Sequence, residues 1–334
     1  MTTSFDPIAF ARALINIDST TGREAEAGMW LARELRQLGY TVVEQPLERG
    51  CSNVIATLDT PAVVLSTHYD CVPPHFPSRV EGGRLYGRGA CDAKGILAAQ
   101  VAAVERLRKR GERRVGLLFV AGEERGSDGA EAANAVSPGS RFLINGEPTG
   151  SRLGSATRGV LRVRLRAEGR AAHSSTPERG ESAIDKLIDA LVRLRTMALP
   201  SDPELGRTFY SVGLIDGGIA PNVVSPHASA ELLFRTTGPA DDILRVLADL
   251  EPLVSVQEVL RVPTVRLHTI PGMPAEVFPF TTDVPLLDRW GVPLLFGPGS
   301  ILVAHTAEEH IEIAEWEAAI DTYVKLASDC LASP

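Results

Sequence analysis

Residues 63–70 read VVLSTHYD, a short apolar run that ends in a histidine and an aspartate. Such a run predicts a buried strand, whereas packing does not require His68 or Asp70 at its end. Helical patterns alternate with similar short runs along the first half of the chain. This alternation predicts an α/β domain with a mostly parallel sheet covered by helices on both faces. Ligands bind beyond the carboxyl ends of the strands in such sheets, which is where His68 lies in the sequence.

Two later apolar runs end in the same way. Residues 117–120 are followed by Glu123 and Glu124, and residues 142–144 are followed by Glu147. Because the carboxyl ends of parallel strands share one edge of a sheet, we expect these carboxylates to lie close together. Two adjacent carboxylates in an apolar pocket repel each other unless a cation lies between them or one is protonated. We therefore expect one of the pair to bind a metal ion and the other to exchange protons with water.

Two loops complete a set of metal-binding side chains. Residues 87–95 read GRGACDAKG and carry Asp92, and residues 297–300 read GPGS and lead to His305. With the strand ends they supply two histidines and three carboxylates, a set typical of hydrolases that bind two metal ions. Any one of these residues alone is more often structural, so the prediction depends on their combination. Nitrogen and oxygen ligands without sulfur suit Zn²⁺, with Co²⁺ or Mn²⁺ as alternatives.

The chain has 334 residues, a length that suits two domains, and a formal net charge of -8. This charge argues against nucleic-acid binding and against binding to an anionic membrane. The sequence contains no apolar stretch of membrane-spanning length and no export signal, so we expect a soluble, cytoplasmic protein. Its four cysteines lack paired metal-binding spacing, and we expect reduced thiols.

The sequence pattern changes at about residue 159. From residue 159 to residue 265 it predicts the order β-α-β-β-α-β, a small domain inserted into the larger one. The larger domain then consists of residues 1–158 and 266–334. In its returning part we predict a helix over residues 284–290 and a last helix from about residue 309 to residue 331.

Taken in this order, the motifs resemble a family of two-zinc metallopeptidases and deacylases. The family includes acetylornithine deacetylase, succinyl-diaminopimelate desuccinylase, aminoacylase and glutamate carboxypeptidase, and the resemblance covers essentially the whole chain. It implies a zinc-peptidase-like catalytic domain with an inserted lid and dimerisation domain. It also implies that Asp92 bridges two metal ions, that His68 and Glu147 complete one metal site, and that Glu124 and His305 complete the other.

The resemblance further implies roles for residues near the ions. Glu123 is the expected general base for the attacking water. Asp70 is the expected carboxylate that orients His68, with a simple turn acid as the alternative. His173, in the inserted domain, is expected to reach the site of a partner subunit and to donate to the oxyanion, which implies a homodimer and a closing lid.

Two residues match family positions that hold a substrate carboxylate. Asn222 and Arg235 lie in the inserted domain, and an arginine is suited to binding a carboxylate. Gly299 and Ser300 could present backbone groups to the same carboxylate. The alternatives are a turn asparagine, an arginine paired on a sheet surface and a tight glycine turn.

The choice of substrate depends on finer features. Residues 281–283 and 297–300 resemble the acetylornithine deacetylase branch, so we expect an N-acyl amino acid substrate and a role in arginine or lysine biosynthesis. The alternatives are a desuccinylase, a dipeptidase, and a hydrolase that releases lysine or ornithine from an amino-group carrier protein. An alternative from another class is a non-catalytic relative that only binds amino acids or peptides. Arg162, Arg164 and Arg166 alternate along a predicted strand and so share one face, which could bind an acidic carrier protein.

Overall fold

The computed structural model describes residues 5–333. Its α-helices are α1 (Pro7–Ile15), α2 (Ala25–Gln37), α3 (Lys94–Lys109), α4 (Asp128–Asn134), α5 (Ala183–Leu194), α6 (Ala240–Ala248) and α7 (Ile313–Ala332). Its strands are β1 (Thr41–Pro46), β2 (Ser52–Thr57), β3 (Val63–His68), β4 (Arg79–Glu81), β5 (Arg84–Tyr86), β6 (Val115–Val120), β7 (Phe142–Asn145), β8 (Leu153–Thr157), β9 (Gly159–Glu168), β10 (Ser201–Asp202), β11 (Gly206–Arg207), β12 (Phe209–Gly217), β13 (His227–Thr236), β14 (Ser255–Val262), β15 (Val265–Arg266), β16 (Ala275–Phe278), β17 (Val292–Leu295) and β18 (His310–Glu312). None of these helices is long and apolar enough to cross a membrane.

The larger unit contains a six-stranded sheet with the order β1-β2-β6-β3-β7-β17. Strands β6, β3, β7 and β17 are parallel, and β1 and β2 add an antiparallel edge. Every residue of β3, β6 and β7 is buried, as expected for strands that are covered on both faces. The predicted α/β class with a mostly parallel sheet is confirmed.

Helices cover both faces of this sheet. On one face α3 packs against β3 and contacts α1 and α7, and its alanine-rich first turns are buried on all sides. Trp316 of α7 donates its indole N–H to the carbonyl of Gly95 at 2.6 Å, which joins α7 to the first turn of α3. On the other face, α4 and Trp290 pack against Val64 and Leu118. The loop that carries Asp92 comes directly before α3, so this packing also supports the loop.

Two helix predictions in the returning part of the chain are wrong, one in the type of helix and the other in its first residue. Residues 284–290 form two short 3₁₀ turns, Val284–Leu286 and Asp288–Trp290. A segment this short closes few intrahelical hydrogen bonds, and Pro285 supplies no N–H. The last helix begins at Ile313, not near residue 309, because residues 310–312 pair as β18 with β5.

The inserted unit contains a four-stranded antiparallel sheet with the order β12-β13-β9-β14. Helices α5 and α6 cover one face of this sheet and enclose a separate apolar core. The chain order β9-α5-β12-β13-α6-β14 is the predicted one, with the small β10–β11 hairpin as an addition. The compact unit comprises Ala156–Arg266 and Val277–Thr281. Residues 277–281 join it because Arg158 donates its backbone N–H to the carbonyl of Phe278 at 3.0 Å.

Candidate metal centre

Three parallel strands direct candidate ligands to one edge of the central sheet. His68 is the last residue of β3 and is paired with Val120, the last residue of β6. Ser66 of β3 is paired with Asn145, the last residue of β7. The segments that follow β6 and β7 therefore leave the sheet beside His68. They carry Glu123, Glu124 and Glu147.

Asp92 lies between the two candidate histidines. His68 Nε2 is 3.0 Å from Asp92 Oδ1, and His305 Nε2 is 3.3 Å from Asp92 Oδ2. His305 Nε2 is also 3.0 Å from Glu124 Oε1. Ligand atoms of His68, Asp92 and Glu124 lie within 4.8 Å of one another. A carboxylate that presents one oxygen to each of two histidines can bridge two cations, so this geometry suits a paired metal site.

Glu147 gives a test of whether a cation fits. Its carboxylate is buried, and its Oε1 has no hydrogen-bond partner within residues 5–333. Burial raises the pKa of Glu147 well above its ordinary value, and the charge of Asp92 raises it further. A buried carboxylate oxygen without a partner is costly, and a bound cation would satisfy it.

The histidines also titrate under the influence of these carboxylates. Hydrogen bonds to Asp92 and Glu124 raise the pKa of His305 to about 10. Burial alone would raise the pKa of Asp92, but its hydrogen bonds with His305 and His68 hold it below its ordinary value. A divalent metal ion would compete with protonation of these histidines, because only the neutral imidazole binds a metal ion.

A short turn presents Glu123 and Glu124. This 3₁₀ turn follows Gly122, whose φ of +87° is rare for residues with a side chain. A β-carbon at Gly122 would also lie 2.2 Å from Asp128 Oδ1. Burial raises the pKa of Glu123 well above its ordinary value, and the charges of nearby carboxylates, including Glu147, raise it further. A carboxyl group perturbed in this way beside the candidate metal ligands is suited to accepting and returning a proton.

Asp70 has a contact that the sequence did not indicate. Its buried carboxylate accepts the backbone N–H of Glu123 at Oδ1 and that of Glu124 at Oδ2, both at 3.1 Å. His68 Nδ1 is 3.0 Å from the backbone oxygen of Asp70 and 3.5 Å from its Oδ1. Asp70 therefore orients His68 chiefly through its carbonyl, while its carboxylate holds the turn of the two glutamates.

Asp283 is a further carboxylate near the site that sequence analysis did not place there. The residue is 1% exposed, and its Oδ1 has no hydrogen-bond partner in the described part of the chain. Burial raises the pKa of Asp283 to about 6. Its charge in turn contributes to the raised pKa values of Glu123 and Glu147. Its sequence signal was the segment 281–283, which was used only to choose a branch of the family.

The loop before His305 changes the interpretation of Gly299. The N–H of Gly299 donates to Glu315 Oε1 at 3.0 Å, so it is not free to bind a substrate carboxylate. Its φ of +86° supports the alternative, a tight glycine turn. Ser300 is partly exposed, and its hydroxyl oxygen accepts the N–H of Leu302 at 3.2 Å. His305 itself has a φ of +64°, which is uncommon for a residue with a side chain.

The inserted unit holds the other predicted site residues. His173 is exposed, and its Nδ1 is 2.8 Å from the hydroxyl oxygen of Ser175. Two facing segments bring His173 beside Asn222, because His173 forms an isolated bridge with Val223. Arg235, at the end of β13, is half-buried and forms no ion pair within the described residues. Burial lowers the pKa of Arg235.

The fold and this cluster define a hydrolase with a site suited to two cations. The model of peptidase family M20/M25/M40 matches residues 64–329, and the chain belongs to this family. It is therefore an amide-bond hydrolase, and the resemblance drawn from the motifs is confirmed at the level of the family.

Individual relatives agree with this assignment. A Peptidase M20 domain-containing protein of Schizosaccharomyces pombe is 34% identical over 333 residues, which cover 96% of this chain and 83% of the relative. A protein of Aspergillus terreus named "Probable carboxypeptidase" is 35% identical over 96% of this chain and 85% of its own length.

Solved structures show the same fold. Aminopeptidase PepT from Bacillus cereus has a TM-score of 0.83 at 20% identity, over 97% of this chain and 98% of that one. The YXEP protein of Bacillus subtilis, described as a dinuclear metal binding peptidase of the M20 family, has a TM-score of 0.74 at 16% identity and covers 98% of both chains.

Proposed function

We propose that this protein hydrolyses the amide bond of N-acyl amino acids, with acetylornithine-like compounds as the first substrates to test. The observation that supports this most is the position of Asp92, which has one oxygen near His68 and the other near His305. We propose that His68 and Glu147 hold one divalent cation and that Glu124 and His305 hold the other, with Asp92 shared. Zn²⁺ is the metal that this donor set suits first. Bound there, the cations would polarise the scissile carbonyl and lower the pKa of a water molecule.

The protein's own residues would supply proton transfer and orientation. Glu123 would take a proton from the attacking water and pass it to the leaving amine, which its raised pKa supports. Asp70 would keep Glu123 and Glu124 in place through the two backbone N–H groups that it accepts. His173 would donate a hydrogen bond to the developing oxyanion, in the site of a partner subunit.

The substrate is proposed to carry a free carboxylate next to the scissile amide. Arg235 supports this, because its half-buried guanidinium has no acidic partner among the described residues. Asn222 would donate to the same carboxylate. An N-acyl amino acid and the C-terminal end of a small peptide share this chemistry. Since several relatives are named as carboxypeptidases, carboxypeptidase or dipeptidase activity is the main alternative.

A substrate panel tests this proposal. N-acetylornithine, N-acetylcitrulline, N-succinyl-diaminopimelate, N-acetylmethionine and a dipeptide would be incubated with zinc-loaded and with chelator-treated protein. The matched control is the best substrate with its carboxylate converted to a carboxamide. We expect metal-dependent turnover of an acyl amino acid and little turnover of its carboxamide. Preferred cleavage of the dipeptide would favour the peptidase alternative, and binding without turnover of any member would favour a non-catalytic relative.

We also propose a homodimer formed through the inserted unit. Strand β12 is an edge strand, and Val212, Leu214 and Ile215 on it are exposed. Ile188 and Val192 of α5 in the same unit are also exposed. A long apolar edge strand is normally covered, and a second copy can pair with it antiparallel about a twofold axis.

Sedimentation velocity tests the proposed dimer. Ile188→Asp should convert the dimer to a monomer, whereas Met29→Asp, at an exposed apolar residue of α2, should leave it intact. A monomeric wild type would refute the dimer.

One observation favours a protein-borne substrate as a second candidate. Arg162 and Arg164 share a single acidic partner, Glu231, on the neighbouring strand, and Arg166 has none within the described residues. Arg166 on this open face of the sheet is therefore available to an acidic group of another protein. The test is the release of an amino acid from an acidic carrier protein. A KM for this reaction that rises with salt concentration, and that is also higher in the Arg166→Glu variant, would support this candidate.

A further inference from the structure

A buried carboxylate outside the set of proposed ligands contacts the loop that carries Asp92. Glu309 is fully buried, and its Oε1 accepts three backbone N–H groups: that of Gly89 at 2.9 Å and those of Cys91 and Asp92 at 3.1 Å. Its Oε2 is 2.6 Å from Arg88 Nη1. One oxygen therefore orients the backbone of the loop up to and including Asp92.

The fold explains how a residue so distant in sequence reaches this loop. Glu309 directly precedes β18, and β18 pairs with β5, the strand that directly precedes Gly87. The backbone oxygen of Glu309 also accepts the N–H of Gly87 at 3.2 Å. Glu309 follows His305 by four residues, so a single short segment supplies one proposed metal ligand and holds the loop of another.

Arg88 compensates the charge of Glu309. Its side chain is 2% exposed, donates from Nε to the carbonyl of Pro74 at 3.1 Å and lies over the ring of Phe76. A buried carboxylate is stable when it is paired with a cation and its lone pairs accept hydrogen bonds, and both conditions hold here. Removing the carboxylate would leave three inward-facing N–H groups without an acceptor, and the loop would move to satisfy them.

We propose that Glu309 is a positioning residue that sets Asp92 between the two proposed metal ions by holding the backbone of residues 89–92. This inference rests on the proposed metal-dependent function, because the purpose of the positioning is cation binding. Residues that orient metal ligands affect metal affinity without touching the metal, typically by about tenfold to hundredfold.

The test compares Glu309→Gln with Glu312→Gln. Glutamine keeps the shape of Glu309, but its amide cannot face the Arg88 guanidinium and accept the three N–H groups at the same time. Glu312 lies three residues later and forms an exposed pair with Arg84, so it controls for loss of charge in the same segment. Two quantities would be measured. The first is hydrogen–deuterium exchange of the peptide covering residues 86–92 in metal-free protein, and the second is Zn²⁺ affinity by competition with a chromogenic chelator.

We expect Glu309→Gln to speed exchange in this peptide and to weaken Zn²⁺ binding by about tenfold to hundredfold, with Glu312→Gln unchanged in both. Unchanged exchange, or faster exchange with a Zn²⁺ affinity within about twofold of wild type, would overturn the inference. If Glu309→Gln does not fold, Arg88→Lys would be used, for which we expect the same two changes at smaller size. A wild type that binds no Zn²⁺ and hydrolyses nothing would count against the proposed function, while the exchange experiment would still decide whether Glu309 holds the loop.

Discussion

The two groups of candidate site residues differ in how many of their polar side chains contact one another within the chain. In the larger unit, contacts of 3.0–3.3 Å link His68 to Asp92, Asp92 to His305 and His305 to Glu124. Asp70 holds the turn beside them. In the inserted unit, His173 and Asn222 are exposed and Arg235 has no acidic partner among the described residues. The first group is an assembled cluster of imidazole and carboxylate side chains, the ligand types that we propose hold the cations. The second group is open to groups outside the chain, which agrees with the proposal that these residues bind substrate or act in a partner subunit's site.

The largest expected effect follows from removing Asp92. Asp92→Asn should abolish both retention of metal and hydrolysis, because neither histidine would keep its shared carboxylate. Metal content after gel filtration and turnover of the best panel substrate would be measured, with Asp321→Asn, an exposed residue, as the control. Full metal content in Asp92→Asn would show that the cations do not depend on this residue.

Within the assembled site, neighbouring glutamates should behave differently. Glu123→Gln should lower kcat by about 10²–10⁴-fold while metal content stays normal, because a general base is lost but no ligand is. Glu124→Gln is the matched variant and should lose metal as well as activity. Normal turnover in Glu123→Gln would remove Glu123 from the role of base.

The inserted unit can be tested by subunit exchange. His173→Ala should lower kcat by about 10²–10³-fold with normal metal content, as expected when an oxyanion donor is removed. Mixing His173→Ala with Glu123→Gln, both nearly inactive, should restore activity if His173 acts in the partner's site, since one of the two sites in a mixed dimer is then complete. Absence of recovery in a proven mixed dimer would place His173 in its own subunit's site or outside catalysis.

The smallest effect is expected at Arg235. Arg235→Ala should raise KM for a carboxylate substrate by about tenfold to hundredfold, the usual size for a charge-assisted hydrogen bond. The carboxamide of the same substrate should be hydrolysed equally by Arg235→Ala and wild type, which separates loss of carboxylate recognition from loss of structure. An equal rise in KM for both substrates would contradict the assignment.

The sequence predicted the site best where local pattern decides position. Short apolar runs located β3, β6 and β7, and parallel strands bring their carboxyl ends to one edge of the sheet. His68 and Glu147 could therefore be assigned to this edge from the sequence pattern. The same reasoning did not apply to the returning segment. Helical spacing near residue 309 did not reveal that residues 310–312 pair with β5, because strand pairing depends on a partner more than 200 positions away.

Some contacts that hold the candidate site together were also missed, although Asp70 itself was predicted to lie there. Glu309 and Asp70 accept backbone N–H groups of distant loops, and such contacts leave no spacing signal in the sequence. Gly299 shows the opposite error, since a glycine in a matching motif was given a substrate role although its N–H is already bonded to Glu315.

The sequence by itself determined the family, the fold class and the residue types of the proposed metal site, because apolar periodicity and motif order are local properties of the chain. Only the tertiary structure decided that the oxygens of Asp92 face two different histidines and that Glu309 orients the Asp92 loop. It also decided that Glu147 and Asp283 have buried oxygens without a partner among residues 5–333. These are relations between segments that are distant in sequence. Burial, hydrogen bonding and charge set them only when the chain has folded.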